Sequence, residues 1–441
     1  MKNKFACLLT SAACVLSFCI TPIQAKGDVL RPWTFGFGDK DEVDEGVYEM
    51  VEQSNLKHLT FEDSKGNSIN YWIHVPTDEQ GKPIENLPLV LYMHGYSDGG
   101  GDNNIAIRYH NALLFKLLSE QDNPDRQAII LVPQTPEAIN TTEAKGEFSD
   151  QWVGIEPDEG EDEWTQWNDE TWSMDETPRT DNLNVVVELI NKVQSETKSD
   201  KDRAYISGIS MGGYTTWDLI SRDDSDMFAA AVPICGVGDP TKIENAKDIP
   251  IRTFHGSLDT VIDPNATRLM YKEMRKYGNI TFTEYADEEH PCWNSAYSPT
   301  LDDDGNGVSN LDDLINWMFN QSRNGTLDGS VDKAPLQQMV NDAKNAAEKD
   351  YDEEDWSLLQ TTITEAEKAL APEIGEEETK KACLNLDTAL SKAKVEDVSK
   401  DTGKEEKGNV SENNTIGYVI LGVVVVGGIL LFVMNSKKKT S

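Results

Sequence analysis

One serine stands in a pattern typical of a catalytic nucleophile. Gly208–Gly212 reads Gly-Ile-Ser-Met-Gly, the G-x-S-x-G spacing, with Ser210 at its centre. The apolar residues before it predict a buried strand, and those from Tyr214 to Arg222 predict a helix. A tight strand-to-helix turn exposes the serine hydroxyl and leaves no room for side chains two positions away, which accounts for both glycines. Ser210 is therefore the candidate nucleophile; a helix-capping serine in a glycine-rich turn is the alternative.

The base and the acid of such a site follow from their order in the chain. A serine hydroxyl needs a histidine base, and the histidine needs an orienting carboxylate. The turn resembles the nucleophile turn of α/β-hydrolases, and that resemblance implies that the acid and then the histidine follow the serine in the chain. Of the six histidines, His290 alone follows both Ser210 and a suitable carboxylate. Asp259, just past a predicted strand that ends near His255, is the candidate acid, with Asp263 as the reserve; a turn aspartate is the alternative for both.

A second glycine-rich stretch supplies groups that could stabilise an oxyanion. The apolar run Leu87–Met93 predicts a buried strand, and it ends in His-Gly-Tyr and a glycine-rich loop. Backbone N–H groups at such a strand end can point at the negative oxygen of a tetrahedral intermediate. The predicted oxyanion hole consists of the N–H groups of Tyr96 and Met211. With His290 acting as base and then as acid, this set predicts acyl transfer through a covalent acyl-Ser210.

Strands and helices alternate along the segment that carries these residues. This alternation predicts an α/β fold with a mostly parallel sheet covered on both faces. In such sheets ligands bind at the carboxyl ends of the strands, and Ser210, Asp259 and His290 all lie just past predicted strand ends. An antiparallel hairpin is predicted upstream at 47–74, and the predicted buried strands lie at 87–93, 128–132, 204–206, 228–234, 250–254 and 280–285.

The composition argues against one class of partner. The 441-residue chain has a formal net charge of −38, from 78 acidic and 40 basic residues. We therefore expect no nucleic-acid partner, because few basic groups are available to neutralise phosphates. Three of the six cysteines lie within the first 25 residues, and the remaining three are too few for a disulfide scaffold.

Both ends of the chain carry apolar segments. Residues 1–25 have the layout of a secretory signal, with cleavage expected after Ala25. Residues 416–434 form an apolar run that is long enough for a transmembrane helix, and the basic tail 435–441 predicts a cytoplasmic end. A cell-wall sorting tail is the alternative. The predicted protein is thus exported and held at the extracellular face of the membrane by a single-pass helix, through a flexible stalk at 396–415.

An acidic insertion at 137–180 carries several tryptophans. Exposed indole rings beside a site can stack on sugar or aryl groups. The alternative is that they pack the insertion's own small core. The candidate substrate-binding residues are Trp152, Trp164, Trp167, Trp172 and, close to the base, Trp293.

Five stretches within residues 40–322 carry a family resemblance: Tyr92–Asn103, Gly208–Gly213, Phe228–Gly236, His255–Asp259 and His290–Trp293. They resemble secreted α/β-hydrolases of the esterase type, which include feruloyl and acetylxylan esterases, polyhydroxybutyrate depolymerases and predicted peptidases of the prolyl-oligopeptidase-like group. The resemblance implies an α/β-hydrolase fold and a serine esterase that acts on acetyl or feruloyl groups of polysaccharide. A serine peptidase with the same triad and an inactive surface-binding protein are the alternatives.

The composition changes after Gly325, and three helical patterns follow. Alanine and leucine recur at three- and four-residue spacing, which predicts a three-helix bundle over 333–394. The bundle resembles a FIVAR module, a unit of bacterial surface enzymes and adhesins. The resemblance implies either a spacer or a binder of sugar-bearing surfaces. The helical patterns lie at 334–349, 353–371 and 376–393, and the matching features are Ala343–Ala347, Tyr351–Trp356 and Ala382–Leu384.

Two smaller signals concern a disulfide and a metal. Cys235 and Cys292 both follow strands on the catalytic side, and a disulfide between them would brace the His290 loop; buried free thiols are the alternative. An acidic stretch has partial EF-hand spacing, which makes calcium a candidate ligand, although an acidic turn explains it better. Its candidate ligands are Asp302, Asp304, Asn306 and Asp313. No other cofactor is expected.

Overall fold

An eight-stranded sheet forms the centre of the molecule. The computed structural model describes residues 55–99, 112–136, 151–154, 173–222, 226–298, 309–394, 418–425 and 428–435. The strands of the sheet are β1 (Lys57–Glu62), β2 (Ser68–His74), β3 (Leu89–Met93), β4 (Ile129–Gln134), β5 (Ala204–Ile209), β6 (Ala230–Ile234), β7 (Ile251–Gly256) and β8 (Ile280–Tyr285).

The order of the strands in space is β1-β2-β4-β3-β5-β6-β7-β8. β1 pairs antiparallel with β2, and β2 pairs antiparallel with β4. From β4 to β8 every neighbouring pair is parallel. The predicted α/β fold with a mostly parallel sheet is therefore confirmed, and so is the upstream hairpin.

Helices cover both faces of the sheet. Alternate residues of β3 show the division, because Leu89 and Leu91 belong to one apolar core and Val90 and Tyr92 to the other. α2 and α3 pack on the first face, and α1 and α6 on the second. The helices of this part are α1 (Ala112–Ser119), α2 (Asp181–Thr197), α3 (Met211–Ser221), α4 (Pro264–Met274), α5 (Trp293–Ala296) and α6 (Asn310–Asn320), and a short hairpin of β9 (Gln321–Ser322) and β10 (Gly325–Thr326) follows.

Three further helices pack around a separate apolar core. They are α7 (Ala334–Lys344), α8 (Glu353–Ala369) and α9 (Glu376–Leu390), and they lie in the segments where the sequence predicts helices. This three-helix module contacts the sheet domain through polar side chains. Tyr271 Oη donates to Asp342 Oδ2 at 2.7 Å, and Arg275 Nε donates to Asp387 Oδ1 at 2.8 Å.

The C-terminal apolar run differs from its prediction. Instead of a membrane-spanning helix over 416–434, the structure has two antiparallel strands, β11 (Tyr418–Val425) and β12 (Gly428–Asn435). No helix in the described part of the chain is long and apolar enough to cross a bilayer. The predicted signal at 1–25 and the predicted stalk at 396–415 lie outside the described residues.

Candidate active site

Ser210 lies on a sharp turn between β5 and α3. Its backbone has φ 54° and ψ −121°, a conformation that residues with side chains rarely adopt. A Cβ on Gly208 would lie 2.2 Å from the carbonyl oxygen of Gly212, and a Cβ on Gly212 would lie 2.0 Å from that of Met93. Both glycines are therefore required by close backbone contacts, and the turn holds the Ser210 side chain at the carboxyl end of the sheet.

Three side chains from three loops meet at this turn. His290 Nε2 is 2.9 Å from Ser210 Oγ, and His290 Nδ1 is 2.7 Å from Asp259 Oδ2. Asp259 follows β7, and His290 follows β8. The arrangement can transfer a proton from the serine hydroxyl to an imidazole whose other nitrogen is held by a carboxylate.

The Asp259 carboxylate is fully buried, and each of its two oxygens lies within hydrogen-bond distance of two donor groups. Oδ1 accepts from the backbone N–H groups of Val261 at 2.8 Å and Ile262 at 2.9 Å. Oδ2 faces His290 and also His255, whose Nε2 is 3.0 Å away. Burial alone would raise the pKa of Asp259, but the hydrogen bonds from His255 and His290 outweigh it and hold the pKa well below its usual range. Asp259 is therefore an anion throughout the neutral range.

The reserve acid has a different place. Asp263 is the N-cap of α4, where its Oδ1 accepts from the backbone N–H of Asn265 at 2.9 Å. Because this carboxylate satisfies a helix end, it is a capping residue rather than a partner of His290.

A buried histidine orients the loop that follows β3. His94 Nε2 accepts from the backbone N–H of Thr135 at 3.1 Å, so the ring proton lies on Nδ1, which donates to Gly95 O at 2.6 Å. Burial lowers the pKa of His94, which keeps the ring neutral. Gly95 lies against the nucleophile, since a Cβ built on it would be 3.7 Å from Ser210 Cβ. The peptide between Gly95 and Tyr96 is thus held in a fixed orientation beside the serine.

The two residues predicted to form the oxyanion hole, Met211 and Tyr96, directly follow Ser210 and Gly95 in the chain. Met211 is the first residue of α3, and the first N–H groups of a helix have no intrahelical acceptor. Tyr96 begins a 3₁₀ turn directly after Gly95. Both positions suit N–H donors for an oxyanion.

Sequence order alone did not reveal two of the histidines at this site. Chain order excludes His94 as the base because it precedes Ser210, and His255 belongs to the strand-end His-Gly that introduces the acid loop. The structure places both in contact with groups that orient the triad. The signal that could have found them is the recurrence of His-Gly at the end of a buried strand, at His94–Gly95 and His255–Gly256.

Residues 156–305 match the model of the dienelactone hydrolase family. The matched span contains the serine, the aspartate and the histidine described above. The match covers about a third of the chain and shows that this region is similar to the dienelactone hydrolase family.

The sequence identity to individual proteins is low. The chain is 26% identical over 175 residues to a bifunctional acetylxylan esterase/xylanase of Neocallimastix patriciarum, which covers 36% of this chain and 26% of the relative. It therefore spans about a quarter of the curated relative that it matches. Among solved structures, a thermostable esterase is 28% identical with a TM-score of 0.45, covering 62% of this chain and 64% of that one. A ferulic acid esterase is 17% identical with a TM-score of 0.37, covering 54% and 91%.

Two of the five candidate substrate-binding tryptophans are buried in the hydrolase domain. Trp152 is fully buried, and its ring lies 5.0 Å from that of His94. Trp293 is 5% exposed and meets the His290 ring edge-on at 5.2 Å. Both rings are packed in apolar cores, so the exposed stacking surface that the sequence predicts is not present at these two positions. Trp164, Trp167 and Trp172 lie outside the described residues.

The predicted disulfide is not formed. Cys235 and Cys292 are free, fully buried thiols in the same apolar core. Burial, and then a hydrogen bond with the Cys292 thiol, raise the pKa of Cys235 well above its usual value. The alternative of two buried thiols is the one that the structure adopts.

The calcium hypothesis is also weakened by the position of its last candidate ligand. Asp313 Oδ2 accepts from Arg252 Nη1 at 2.6 Å, so an ion pair already engages this carboxylate. Asp302, Asp304 and Asn306 lie outside the described residues. Within the residues that the structure describes, no group of three or more His, Cys, Asp or Glu side chains is arranged to hold a metal ion.

Proposed function

We propose that the protein is a serine esterase that hydrolyses acyl groups, acetyl or feruloyl, from polysaccharide. The observation that carries the proposal is the continuous contact from Ser210 Oγ through His290 to Asp259, at 2.9 Å and 2.7 Å. The dienelactone hydrolase match over residues 156–305 supports ester hydrolysis. The name of the acetylxylan esterase relative supports a polysaccharide ester as the substrate class.

The geometry suggests the order of events. Ser210 Oγ attacks the ester carbonyl carbon as its proton passes to His290 Nε2, and the carbonyl oxygen takes up the negative charge between the N–H groups of Met211 and Tyr96. The C–O bond to the alcohol breaks, and His290 returns the proton to the departing oxygen. Water then attacks the acyl-serine by the same route and releases the acid. Asp259 remains ionised and stabilises the imidazolium in both halves.

A substrate panel run beside one variant tests the proposal. Ser210→Ala should lower kcat on nitrophenyl acetate by about 10⁶-fold, because removing a triad nucleophile costs that order of rate. Ser64→Ala, a change at an exposed serine of the β1–β2 turn, is the matched control and should retain activity. Feruloyl ester, acetylated xylan and a peptide anilide complete the panel. Full activity in Ser210→Ala would contradict the mechanism, and cleavage of the anilide alone would identify a peptidase.

We also propose that the chain is exported and held at the cell surface, and that residues 333–394 are a FIVAR-type module. The support for export is the layout of residues 1–25, and for surface retention the apolar run near the C terminus. Protease treatment of intact cells tests the location, because an exported chain is cleaved without lysis and an internal one is protected.

A further inference from the structure

His255 is a buried side chain that the triad mechanism leaves without a role. It is the penultimate residue of β7, four residues before Asp259, and its ring is fully buried. Its Nε2 lies 3.0 Å from Asp259 Oδ2 and 3.2 Å from the carbonyl oxygen of Ile262. Buried polar atoms are normally hydrogen-bonded, so each ring nitrogen of His255 needs a hydrogen-bond partner.

The identity of those neighbours decides where the ring proton is. A carbonyl oxygen only accepts, and the ionised carboxylate of Asp259 only accepts. His255 Nε2 must therefore carry a proton and donate it. The other nitrogen, Nδ1, lies 2.7 Å from Thr267 Oγ1, a hydroxyl that is also 3.1 Å from Gly236 O. Thr267 thus fixes the ring plane from the side opposite to the carboxylate.

The result is a carboxylate oxygen shared by two imidazoles. Asp259 Oδ2 receives one N–H from His290 and one from His255, at 2.7 Å and 3.0 Å. A second donor on the same oxygen fixes the carboxylate plane and stabilises its negative charge. It also leaves less of that charge to stabilise the protonated form of His290.

We propose that His255 is a positioning residue, which donates from Nε2 to Asp259 and thereby sets the orientation of the triad carboxylate and the pH range in which His290 serves as a base. This inference rests on the proposed esterase function for its kinetic test, but not for its spectroscopic one. The titratable groups around the cluster are Asp259 and His290 themselves, the thiols of Cys235 and Cys292 in the adjoining core, and Glu288 on the loop before His290.

The kinetic test compares three variants by their pH profiles. His255→Leu removes the donor; we expect kcat/KM to fall about tenfold, the order expected for one hydrogen bond to a charged group. The acid limb of the kcat/KM pH profile of this variant should move to higher pH by about half a unit, because protonated His290 is then the single imidazole that donates to Asp259 Oδ2. His255→Gln restores an N–H donor and should return the limb toward that of the wild type. Thr267→Val keeps the Nε2 donor but removes the hydroxyl that fixes the ring plane, so it should move the limb less than His255→Leu does.

The spectroscopic test needs no substrate. Histidine labelled with ¹⁵N in the full chain should show His255 protonated at Nε2, and the hydrogen-bonded Nδ1 proton of His290 should move further downfield in His255→Leu. An unprotonated Nε2 on His255 would overturn the inference, and so would an unmoved acid limb in a folded His255→Leu protein. If that variant does not fold, the wild-type tautomer and His255→Gln decide the question. If Ser210→Ala retains full activity, the esterase proposal fails while the spectra still test His255.

Discussion

The side-chain amide of Gln338 pairs with both backbone groups of Phe282. Gln338 Oε1 accepts from Phe282 N at 2.9 Å, and Gln338 Nε2 donates to Phe282 O at 2.6 Å. Phe282 lies in β8, the edge strand of the large sheet. An exposed edge strand offers unpaired N–H and C=O groups to other chains. At Phe282 the side-chain amide of Gln338 on α7 pairs with these groups, as the backbone of a further strand would. The three-helix module therefore contacts the sheet domain at a defined position along β8.

This pairing predicts a stability effect that a neighbouring glutamine does not share. Gln338→Ala removes two hydrogen bonds to partly buried backbone and should lower the free energy of unfolding by about 1–3 kcal/mol. Gln337→Ala is the matched control, because Gln337 is exposed and its side-chain amide donates to Asn341 of the same helix, and it should change stability by less than about 0.5 kcal/mol. Urea titration followed by circular dichroism measures both. Equal effects of the two substitutions would mean that the edge contact contributes nothing.

Asp342 predicts a pH-dependent contribution at the same interface. Burial raises its pKa, and the hydrogen bond from Tyr271 and the charge of Arg275 offset this only in part. Since the folded pKa exceeds the unfolded one, stability from this group is fully present below the unfolded value of about 3.9 and is lost as pH rises through the folded pKa.

Asp342→Asn tests that sign. The amide oxygen still accepts from the Tyr271 hydroxyl, and no charge is buried, so the variant should be at least as stable as the wild type at pH 7 and show a flatter decline from acid to neutral pH. Denaturant midpoints at several pH values give the comparison. A variant that is less stable at every pH would show that the carboxylate is favourable in its ionised form.

Asp259→Asn separates orientation from charge within the triad. The amide keeps the size of the carboxylate but cannot stabilise the imidazolium, and its N–H₂ favours the wrong tautomer of His290. We expect kcat to fall by about 10⁴-fold with little change in KM. Steady-state kinetics on nitrophenyl acetate measures it, and Asp263→Asn, a change at the helix cap, should retain catalysis. Comparable losses in the two variants would reassign the acid.

Alkylation of the cysteines tests their free, buried state. Thiolate is the reactive form, and burial raises the pKa of Cys235 far above its usual value and that of Cys383 to about 12. In the native protein, Cys235, Cys292 and Cys383 should resist iodoacetamide, and all three should react after unfolding without reductant. Peptide mass spectrometry reads each site. A linked Cys235–Cys292 peptide would contradict the free-thiol state.

Much of the site could be predicted because its residues follow local rules. The glycines around Ser210 are dictated by the turn itself, and the contacts of Gly208 and Gly212 supply the physical reason. The serine, the acid and the histidine could be expected to meet because parallel strands end at one edge of the sheet. The burial of Trp152 and Trp293 could not be predicted, because an indole in an acidic stretch is compatible with either exposure or burial. Whether the ring is buried depends on its packing partner, which is an imidazole in each case.

The sequence by itself determined the α/β alternation, the nucleophile turn and a single histidine in the position of the base, since each depends on periodicity or on chain order. Only the tertiary structure decided that Asp259 is shared by His290 and His255, that Gln338 completes the edge of β8, and that Cys235 and Cys292 stay reduced. These relationships involve groups that lie four to 57 positions apart in the chain. Such hydrogen bonds form only when donor and acceptor are placed to within a fraction of an ångström, and the packing of the elements determines that placement.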